Sequence, residues 1–386
     1  MLYCVRFGLS RWLVDRGLIG SLLLLLTILS IVNLISVLFT RIAPQLAVRG
    51  IQLGLLTIRP LDLDNDLQRE LAEVSELYAL DSDNVYSPQA MFRLIPYTRE
   101  YDIVHAHLFP SQYFVALAKI LSNKLQPAVT TEHSTHNRRR DHRLLRGIEK
   151  RVYSQYNRII CISRAAEENL ARWLPGITDK TITIPNGIEL QRFAEAKPIP
   201  LEKLSLSLKQ YRYFILMVAR MTEQKDHRTV IEAISKLPED CCLLLAGDGP
   251  LMQEHIAYSR ELDVTDRVFF LGLQRNIERI MKSVDVCVVS SHWEGFGLVV
   301  VEAMASGVPV VASNVPGLSE VVGQAGCLFP VGDAESLASI LLGLFDNNER
   351  CSHYVELGQA RAREYSIQLT AERYIQVYQN ILCSHN

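Results

Sequence analysis

The sequence predicts an α/β protein made of two doubly wound parallel sheets. Short apolar runs rich in Val, Ile and Leu recur along the chain and alternate with segments of helical periodicity. Glycines and polar residues follow many of these runs, as expected where parallel strands end at the ligand-binding edge of a sheet. At 386 residues, the chain is long enough for about two domains, each with its own core.

The composition excludes several functional classes. Forty basic and 42 acidic residues leave a formal net charge of −2, so no global charge favours nucleic acid as a partner. The cysteines show no Cys-x-x-Cys or Cys/His ligand spacing, and Cys161, Cys242 and Cys287 lie in apolar runs typical of buried strands. We therefore expect a reducing, cytoplasmic environment with neither disulfides nor zinc.

The amino-terminal region has two interpretations. Residues 17–40 carry no charge, so by length they could span a bilayer or act as a signal anchor. Alternatively, residues 27–35 form a buried first strand, residues 37–49 form a helix that Gly50 ends, and residues 51–58 form the second strand. We favour the second interpretation, in which residues 1–25 are an apolar extension that could associate with a membrane.

An acidic cluster follows the second strand. Residues 62–66 contain Asp-x-Asp, a pattern that suggests a metal site. Asn65 with Gln68 three residues later is also typical of a helix cap, and the cluster lies just before a helical pattern. We expect the cap and no metal.

Two histidines follow predicted strands. Residues 101–107 read as a strand ending at His107, ahead of a helix over residues 112–121, and residues 129–133 read as a second strand ending at His133. Polar residues at the carboxyl ends of parallel strands lie where an open α/β sheet binds ligands. Both histidines are therefore candidate site residues.

A basic segment follows, over residues 137–151. It contains seven Arg or Lys, including Arg138, against two acids. It is either a solvated helix face or a patch that contacts anionic lipid headgroups or the diphosphate of a lipid-linked acceptor. Further strands are predicted at 158–163 and 181–184, and a loose stretch containing Pro198 and Pro200 indicates a linker at 191–211.

The second half opens with a strand at 213–218 that carries two cations at its carboxyl end. These are Arg220 and Lys225, which could neutralise a leaving diphosphate as a metal ion otherwise would. The next strand, 242–246, runs into Gly247-Asp248-Gly249, a weak signal that alone is as consistent with a simple turn. A further strand is predicted at 268–272.

The most informative stretch is a βαβ unit between the apolar runs 284–289 and 308–312. Glu294 lies on its loop, followed by Gly295-Phe296-Gly297 and then by a helix that starts near Leu298 and carries Glu302 about two turns later. Backbone N–H groups at such a helix start favour a phosphate or a sugar hydroxyl oxygen.

Two glutamates separated by seven residues, with Gly295-Phe296-Gly297 and Glu302-Ala303-Met304-Ala305, resemble the donor site of the retaining GT-B glycosyltransferases of family 4 (group 1). The resemblance implies two Rossmann-like domains facing a cleft, with a carboxyl-terminal helix that crosses back to the first domain. It also implies a nucleotide diphosphate sugar as donor and no metal. The implied domains are 26–190 for the acceptor, 212–365 for the nucleotide sugar and 366–386 for the crossover helix.

The resemblance also implies residue roles. Glu294 lies against the donor sugar, Glu302 holds the ribose hydroxyls, and Arg220 and Lys225 carry the diphosphate. The catalytic residues that the resemblance implies are Glu294, His107, Arg220 and Lys225. The implied nucleotide-sugar-binding residues are Arg220, Lys225, Gly247, Gly249, Gly295, Phe296, Gly297, Leu298 and Glu302. On the acceptor side the resemblance implies His107 and His133, and the charge of the basic segment adds Arg138.

This sequence departs from the family pattern in its first loop. The family carries a Gly-Gly loop after the first strand, whereas this chain has no glycine between Gly20 and Gly50, and Ser36-Val37-Leu38 stand in its place. One alternative is therefore a degenerate, membrane-tethered protein that binds nucleotide sugar without turnover. A sugar-nucleotide epimerase on the same fold is a second alternative, against which the paired glutamates argue.

Together these observations predict a glycosyltransferase that moves a sugar from a UDP- or GDP-sugar to an acceptor hydroxyl with retention. The expected acceptor is a glycan or a lipid-linked glycan in surface polysaccharide or glycolipid biosynthesis. The expected location is the cytoplasmic face of a membrane, with an anionic membrane surface as a further partner.

Overall fold

The computed structural model describes residues 22–27, 34–59, 66–82, 84–122, 126–135, 138–204 and 206–384. The chain divides into two compact units. Unit 1 comprises Met1–Gly187 and Ile367–Asn386, and unit 2 comprises Ile188–Ser366. Segment 191–211, predicted as a linker, lies in unit 2.

Unit 1 is built on a seven-stranded parallel sheet. Its strands β1 to β7 are Leu22–Thr27, Gln52–Thr57, Glu76–Ala79, Ile103–His107, Ala128–Glu132, Arg158–Cys161 and Thr181–Thr183. Their order is β3-β2-β1-β4-β5-β6-β7, so the sheet grows outward in both directions from β1 and β4. The helices α1 to α6 that alternate with them are Leu34–Ala47, Asp66–Ala72, Pro88–Arg99, Ser111–Leu121, Leu145–Ser154 and Arg164–Trp173.

The strands of unit 1 read as continuous apolar runs because helices cover both faces of a parallel sheet. Every residue of β4 and β5 is buried, including the polar residues at their carboxyl ends. These ends are therefore shielded from bulk water, which matters for the two histidines described below.

The carboxyl-terminal helix α15, Ile367–Cys383, belongs to unit 1. Thr370 donates a hydrogen bond to the carbonyl oxygen of Pro185 at 3.0 Å, and Arg49 pairs with Glu372 at 3.0 Å. Tyr374 and Tyr378 are fully buried against the unit 1 core. The prediction of a helix that returns to the first domain is confirmed.

Unit 2 is built on a six-stranded parallel sheet. Its strands β8 to β13 are Tyr213–Val218, Cys241–Ala246, Val268–Gly272, Val286–Val289, Val310–Ser313 and Cys327–Phe329. Their order is β10-β9-β8-β11-β12-β13. Helices α7 to α14 are Leu190–Ala194, His227–Ser235, Met252–Glu261, Ile277–Met281, Leu298–Ala305, Pro316–Val322, Ala334–Phe345 and Asn348–Arg363. Two parallel α/β sheets are thus present, as predicted.

The first strand and helix differ from the prediction. Strand β1 occupies 22–27 rather than 27–35, and it starts inside the predicted extension 1–25. The leucine run pairs on both sides, with Leu24 opposite Gly54 of β2 and Val104 of β4, as a central strand does. Ser36-Val37-Leu38 lie in α1 and do not form a loop.

The segment that joins β1 to α1, residues 28–33, lies outside the described residues, as do residues 1–21 and most of the acidic cluster at 62–66. In the part of the chain that is described, no helix has the length and apolar character needed to cross a membrane.

Candidate active site

The candidate donor site lies at the carboxyl ends of β8 and β11. These two strands are neighbours in the sheet, and the strand order reverses between them. In open α/β sheets the crevice at such a switch point is the usual ligand-binding position. The loops that follow the two strands carry Lys225 and Glu294, so residues far apart in sequence meet there.

Lys225 and Glu294 form a partly buried ion pair, joining Nζ to Oε2. Their side chains are 24% and 10% exposed. The other carboxylate oxygen of Glu294 accepts a hydrogen bond from the backbone N–H of Gly295 at 3.1 Å. The predicted cation and carboxylate are therefore in contact in unit 2.

The loops that carry this pair are joined by two hydrogen bonds, one between backbones and one from a side chain to a backbone. His292 N donates to the carbonyl oxygen of Gln224 at 2.8 Å, and the Gln224 side chain donates to the carbonyl oxygen of Trp293 at 2.9 Å. Each bond lies next to Lys225 or Glu294 in sequence. The relative position of the two charged side chains is thus fixed by their backbones.

Asp226 strengthens the same connection, and the sequence reasoning did not find this role. Its φ of 38° lies in the left-handed region, where glycine is usual and Asp is tolerated. Its carboxylate accepts hydrogen bonds from Thr229 Oγ1 at 2.7 Å and from Ser290 Oγ at 3.1 Å. His292 Nε2 lies 3.7 Å away. The aspartate therefore caps α8 and also holds the loop after β11.

Two glycines allow backbones to approach closely around this site. A Cβ atom on Gly247 would lie 1.9 Å from the carbonyl oxygen of Ala219, and one on Gly317 would lie 2.2 Å from that of Glu294. Gly249 belongs to the same loop as Gly247, where Met221 N donates to the carbonyl oxygen of Asp248 at 3.0 Å. The Gly-x-Gly loop therefore supports the segment that carries Arg220.

The remaining residues of the predicted donor site differ in accessibility. Phe296 is 3% exposed and packs edge to face on Tyr365 at 5.3 Å, so its side chain belongs to the core and does not contribute to a ligand-binding surface. Gly297 has a φ of 87° and precedes Leu298, the buried first residue of α11. Arg220 is exposed, and none of the described carboxylates forms an ion pair with it.

Glu302 lies on α11 beside two charged residues that the sequence reasoning missed. Burial raises the pKa of Glu302 to about 7, with Arg192 lowering and Glu278 raising it. Arg192 Nη2 and Glu278 Oε2 are 3.0 Å apart. No local pattern in the sequence indicates this cluster, because α7 and α10 are far apart in sequence.

In unit 1, the structure brings His107 and His133 together. His107 Nδ1 lies 3.1 Å from His133 Nε2, so one of these two nitrogens donates and the other accepts. Burial lowers the pKa of His107, with further lowering by His105 and His133, and burial lowers the pKa of His133 to about 4. Both imidazoles are therefore neutral at pH 7.

His105 is a third member of this group and was not predicted. Its ring lies 4.0 Å from that of His107. Its two nitrogens lie 2.8 Å from Tyr378 Oη of α15 and 2.8 Å from Thr131 Oγ1. The sequence could have indicated His105, because residues two apart in a strand, such as His105 and His107 in β4, lie on the same face of the sheet.

The basic segment is divided by the structure. Arg139 pairs with the buried Glu149 at 2.9 Å, and Arg140 pairs with the buried Glu132 at 2.5 Å, so these two arginines stabilise the fold. Arg138 lies in a short 3₁₀ turn, and its side chain is outside the described residues. The basic residues that remain exposed are Arg143, Arg146, Lys150 and Arg151.

Over the described ranges, no group of three or more His, Cys, Asp or Glu side chains has the arrangement needed to hold a metal ion.

Comparison with known proteins gives two family matches. The model of glycosyl transferases group 1 matches residues 201–361, and that of glycosyltransferase family 4 matches residues 35–192. Each match falls almost entirely within one of the two units. Together they extend over most of the chain.

Curated relatives agree with these matches. The chain is 29% identical over 264 residues to UDP-Gal:alpha-D-GlcNAc-diphosphoundecaprenol alpha-1,3-galactosyltransferase of Escherichia coli, covering 64% of this chain and 67% of the relative. It is 28% identical to a phosphatidyl-myo-inositol mannosyltransferase of Mycolicibacterium smegmatis, covering 73% and 72%. It is 31% identical to N-acetyl-alpha-D-glucosaminyl L-malate synthase of Bacillus anthracis, covering 46% and 47%. The chain thus spans from about half to about three quarters of these relatives' lengths.

Solved structures share the fold. HepE of Anabaena in complex with UDP and glucose has a TM-score of 0.79 at 20% identity, covering 93% of this chain and 99% of that one. Sucrose-phosphate synthase of Thermosynechococcus elongatus has a TM-score of 0.78 at 21% identity, covering 93% and 98%. With both halves of the sequence and the architecture in agreement, the chain belongs to the group 1, family 4 glycosyltransferases of GT-B fold.

Proposed function

We propose that this glycosyltransferase moves a sugar from a nucleotide diphosphate sugar, UDP- or GDP-linked, to a hydroxyl of a glycan or lipid-linked acceptor with retention. The observation that carries the proposal is the Lys225–Glu294 pair at the switch point of the unit 2 sheet, with Arg220 exposed after the same strand that precedes Lys225. At this position the cation can bind an anionic diphosphate, and the carboxylate can accept a hydrogen bond from a sugar hydroxyl.

In this proposal the ion pair is the resting state of the site. A diphosphate brings negative charge that competes with Glu294 for Lys225, and Arg220 supplies a second cation for the same group. The released Glu294 carboxylate then accepts hydrogen bonds from the sugar hydroxyls, while the backbone at Gly295 to Leu298 faces the donor. No metal ion is needed in this scheme because the two cations neutralise the leaving diphosphate.

On the acceptor side we assign His107 to the reaction centre, with His133 as its hydrogen-bonded neighbour. Because both imidazoles are neutral, His107 offers one donor and one acceptor nitrogen and brings no charge to the site. A neutral group of this kind orients a hydroxyl by hydrogen bonding without adding charge to it. Retention is taken from the family resemblance.

The named relatives support the choice of substrates. The Escherichia coli relative acts, by its name, with UDP-galactose on a diphosphoundecaprenol-linked sugar, and HepE of Anabaena was solved with UDP and glucose. The mycobacterial relative is named for a mannosyl transfer to a phosphatidylinositol lipid. This set supports the proposal of a nucleotide sugar donor and a lipid-linked acceptor in polysaccharide or glycolipid synthesis.

The donor proposal is tested by calorimetric titration of UDP, GDP and ADP without added metal. We expect one nucleotide to bind, and Lys225→Ala to weaken its affinity at least tenfold, since a hydrogen-bonded charge at a diphosphate contributes roughly 1.5–3 kcal/mol. Lys236→Ala is the matched control, because Lys236 pairs only with acidic residues on helices α8 and α13. Binding to none of the three nucleotides would refute the donor site.

A second measurement separates the enzyme from a protein that only binds nucleotide sugar. The enzyme releases nucleoside diphosphate in the presence of acceptor, and Glu294→Ala reduces this release by orders of magnitude while the fold stays intact. A protein that binds the donor and never releases nucleoside diphosphate with any lipid-linked or free glycan acceptor would support the binding-only alternative.

The membrane partner is proposed from an exposed surface at α5, here called the α5 surface, which consists of Arg143 and Leu144 just before the helix and of Ile148, Lys150 and Arg151 on it. Leu144 is 94% exposed and Ile148 is 52% exposed, and Leu144, at the N-cap of α5, lies four residues before Ile148 and therefore on the same side. The three basic residues around them are exposed as well. Apolar side chains flanked by cations suit the headgroup region of an anionic bilayer.

Co-sedimentation with vesicles tests the α5 surface. We expect binding to vesicles that contain phosphatidylglycerol and weaker binding to phosphatidylcholine alone or at high salt. Arg143→Glu with Lys150→Glu should reduce binding at least tenfold, since each basic residue near such a surface is worth about 1 kcal/mol. Arg164→Glu with Arg172→Glu, on exposed positions of α6, is the charge-matched control. Equal loss in both variants would remove the α5 surface from the proposal.

A further inference from the structure

We propose that Arg192 and Glu278 are positioning residues of the donor site, whose ion pair sets the charge carried by Glu302 and thereby the affinity for the nucleotide. The inference rests on the proposed function and on the role that the family resemblance implies for Glu302, which is to accept hydrogen bonds from the ribose hydroxyls. It adds two residues from outside the Glu-x7-Glu motif to the same site.

Three helices bring these groups together. Arg192 lies on α7, Glu278 on α10 and Glu302 on α11, and α7 packs against both of the other helices. The Arg192 and Glu278 side chains are 32% and 14% exposed, so their 3.0 Å ion pair is partly withdrawn from water. Both also line a cavity of about 560 Å³ at this surface of unit 2. The pair is therefore placed where it acts electrostatically on α11.

Glu302 is the member of this cluster that is left available for a ligand. Its side chain is partly buried, and no residue in the described ranges forms a hydrogen bond or an ion pair with it. Glu294, by contrast, is occupied by Lys225 and by the backbone of Gly295. An ionised carboxylate accepts hydrogen bonds with both oxygens, whereas a protonated one offers a donor that two ribose hydroxyls do not need.

The surroundings hold Glu302 near the midpoint between its two charge states. Burial raises its pKa to about 7, Arg192 opposes this and Glu278 adds to it. The other titratable neighbour is Cys287 of β11, whose thiol stays neutral because burial and Glu302 raise its pKa to about 12. Small changes in the Arg192–Glu278 pair therefore change the ionised fraction of Glu302 at physiological pH.

The two partners should act in opposite directions. Arg192→Met removes a cation, so Glu302 ionises at higher pH, and we expect the pH midpoint of nucleotide binding to rise by at least about one pH unit. At pH 7 this reduces affinity about fivefold, since the ionised fraction falls from about one half to about one eleventh. Glu278→Gln removes an anion and should move the midpoint downward. A purely structural role would not produce shifts of opposite sign.

The experiment is calorimetric titration of the bound nucleotide from pH 5.5 to 8.5 with the wild-type chain and four variants. Arg279→Met is the matched control, because Arg279 lines the same cavity but donates to the carbonyl oxygen of Lys197. Glu302→Gln should bind weakly with no midpoint near pH 7. Thermal melts of each variant verify that it is folded.

The possible outcomes separate this inference from the proposed function. Absence of nucleotide binding to the wild-type chain refutes the donor site itself. Binding with the same pH midpoint in wild type, Arg192→Met and Glu278→Gln leaves the donor site in place and overturns the role of the pair. Opposite shifts in the two variants, with Arg279→Met unchanged, support it.

Discussion

Removing the Asp226 carboxylate should destabilise unit 2 and loosen the donor site together. The carboxylate caps α8 through Thr229 and accepts a hydrogen bond from Ser290, whose side chain is fully buried. Loss of an N-cap costs about 1 kcal/mol. A buried hydroxyl left without its acceptor costs about 1–3 kcal/mol. Asp226→Ala should therefore lower the free energy of unfolding by about 2–4 kcal/mol.

Asp226→Gly separates the backbone contribution from that of the side chain. The residue has a φ of 38°, where Ala is strained and Gly is not, so the Gly variant should be about 1 kcal/mol more stable than the Ala variant. Asp226→Asn keeps an acceptor for the cap and should lose least. The expected order of stability is thus Asp, Asn, Gly, Ala.

Differential scanning calorimetry measures the effect, and nucleotide titration measures its functional consequence. A loss of about 2–4 kcal/mol corresponds to a fall in melting temperature of about 5–15 °C for a folding unit of this size. Nucleotide affinity should fall in the same order, because Asp226 fixes the loop next to Lys225. Melting temperatures within about one degree of wild type for the Ala variant would refute the reasoning.

Three further predictions follow from buried groups. Burial lowers the pKa of His227 to about 3, with His255 adding to the effect. Below pH 6.5 the unfolded chain binds a proton at His227 that the folded chain does not bind. The free energy of unfolding should therefore fall by up to about 1.4 kcal/mol per pH unit below pH 6.5, and His227 should cause no loss above it. His255→Leu should make this slope, measured by denaturant melts, shallower. Gly317→Ala should abolish nucleotide binding in titrations of a folded protein, because a Cβ there meets the backbone of the loop after β11. Arg140→Met, which leaves a buried carboxylate unpaired, should cost about 3–5 kcal/mol in the same melts, whereas Arg143→Met should stay within about 0.5 kcal/mol.

The sequence predicted those parts of the site that depend on local spacing. Glu294 and Lys225 could be placed together because each follows a strand, and parallel strands end at one edge of their sheet. The two loops that carry them are short and each directly follows a strand, β8 or β11. The contact between the two side chains then followed from the order of the strands.

Other parts depend on which distant residues meet, and the sequence alone could not supply this. Ser290 lies 64 positions from Asp226, and Glu278 lies 86 positions from Arg192, so neither partner is visible in a local pattern. The basic segment was misjudged as one surface for a different reason, because the burial of two nearby carboxylates could not be seen in the sequence. Arg139 pairs with Glu149 of the same segment, and Arg140 pairs with Glu132 just before it.

The first strand was misplaced for a different physical reason. An uncharged run from residue 17 to residue 40 has neither a two-residue nor a 3.6-residue period, and no proline or glycine interrupts its second half. The boundary between strand and helix is then set by pairing with β2 and β4 and not by the residues themselves.

The return of α15 to unit 1 determines the order in which the molecule can be completed during protein synthesis. The ribosome makes all of unit 2 before it makes Tyr378, which contacts His105 from the far end of the chain. Unit 2 is therefore an insertion within unit 1, and a nascent chain that stops before residue 367 lacks the side chain that holds the histidine group. A prematurely terminated chain could therefore hold a complete unit 2, but its unit 1 would lack α15 and be incomplete.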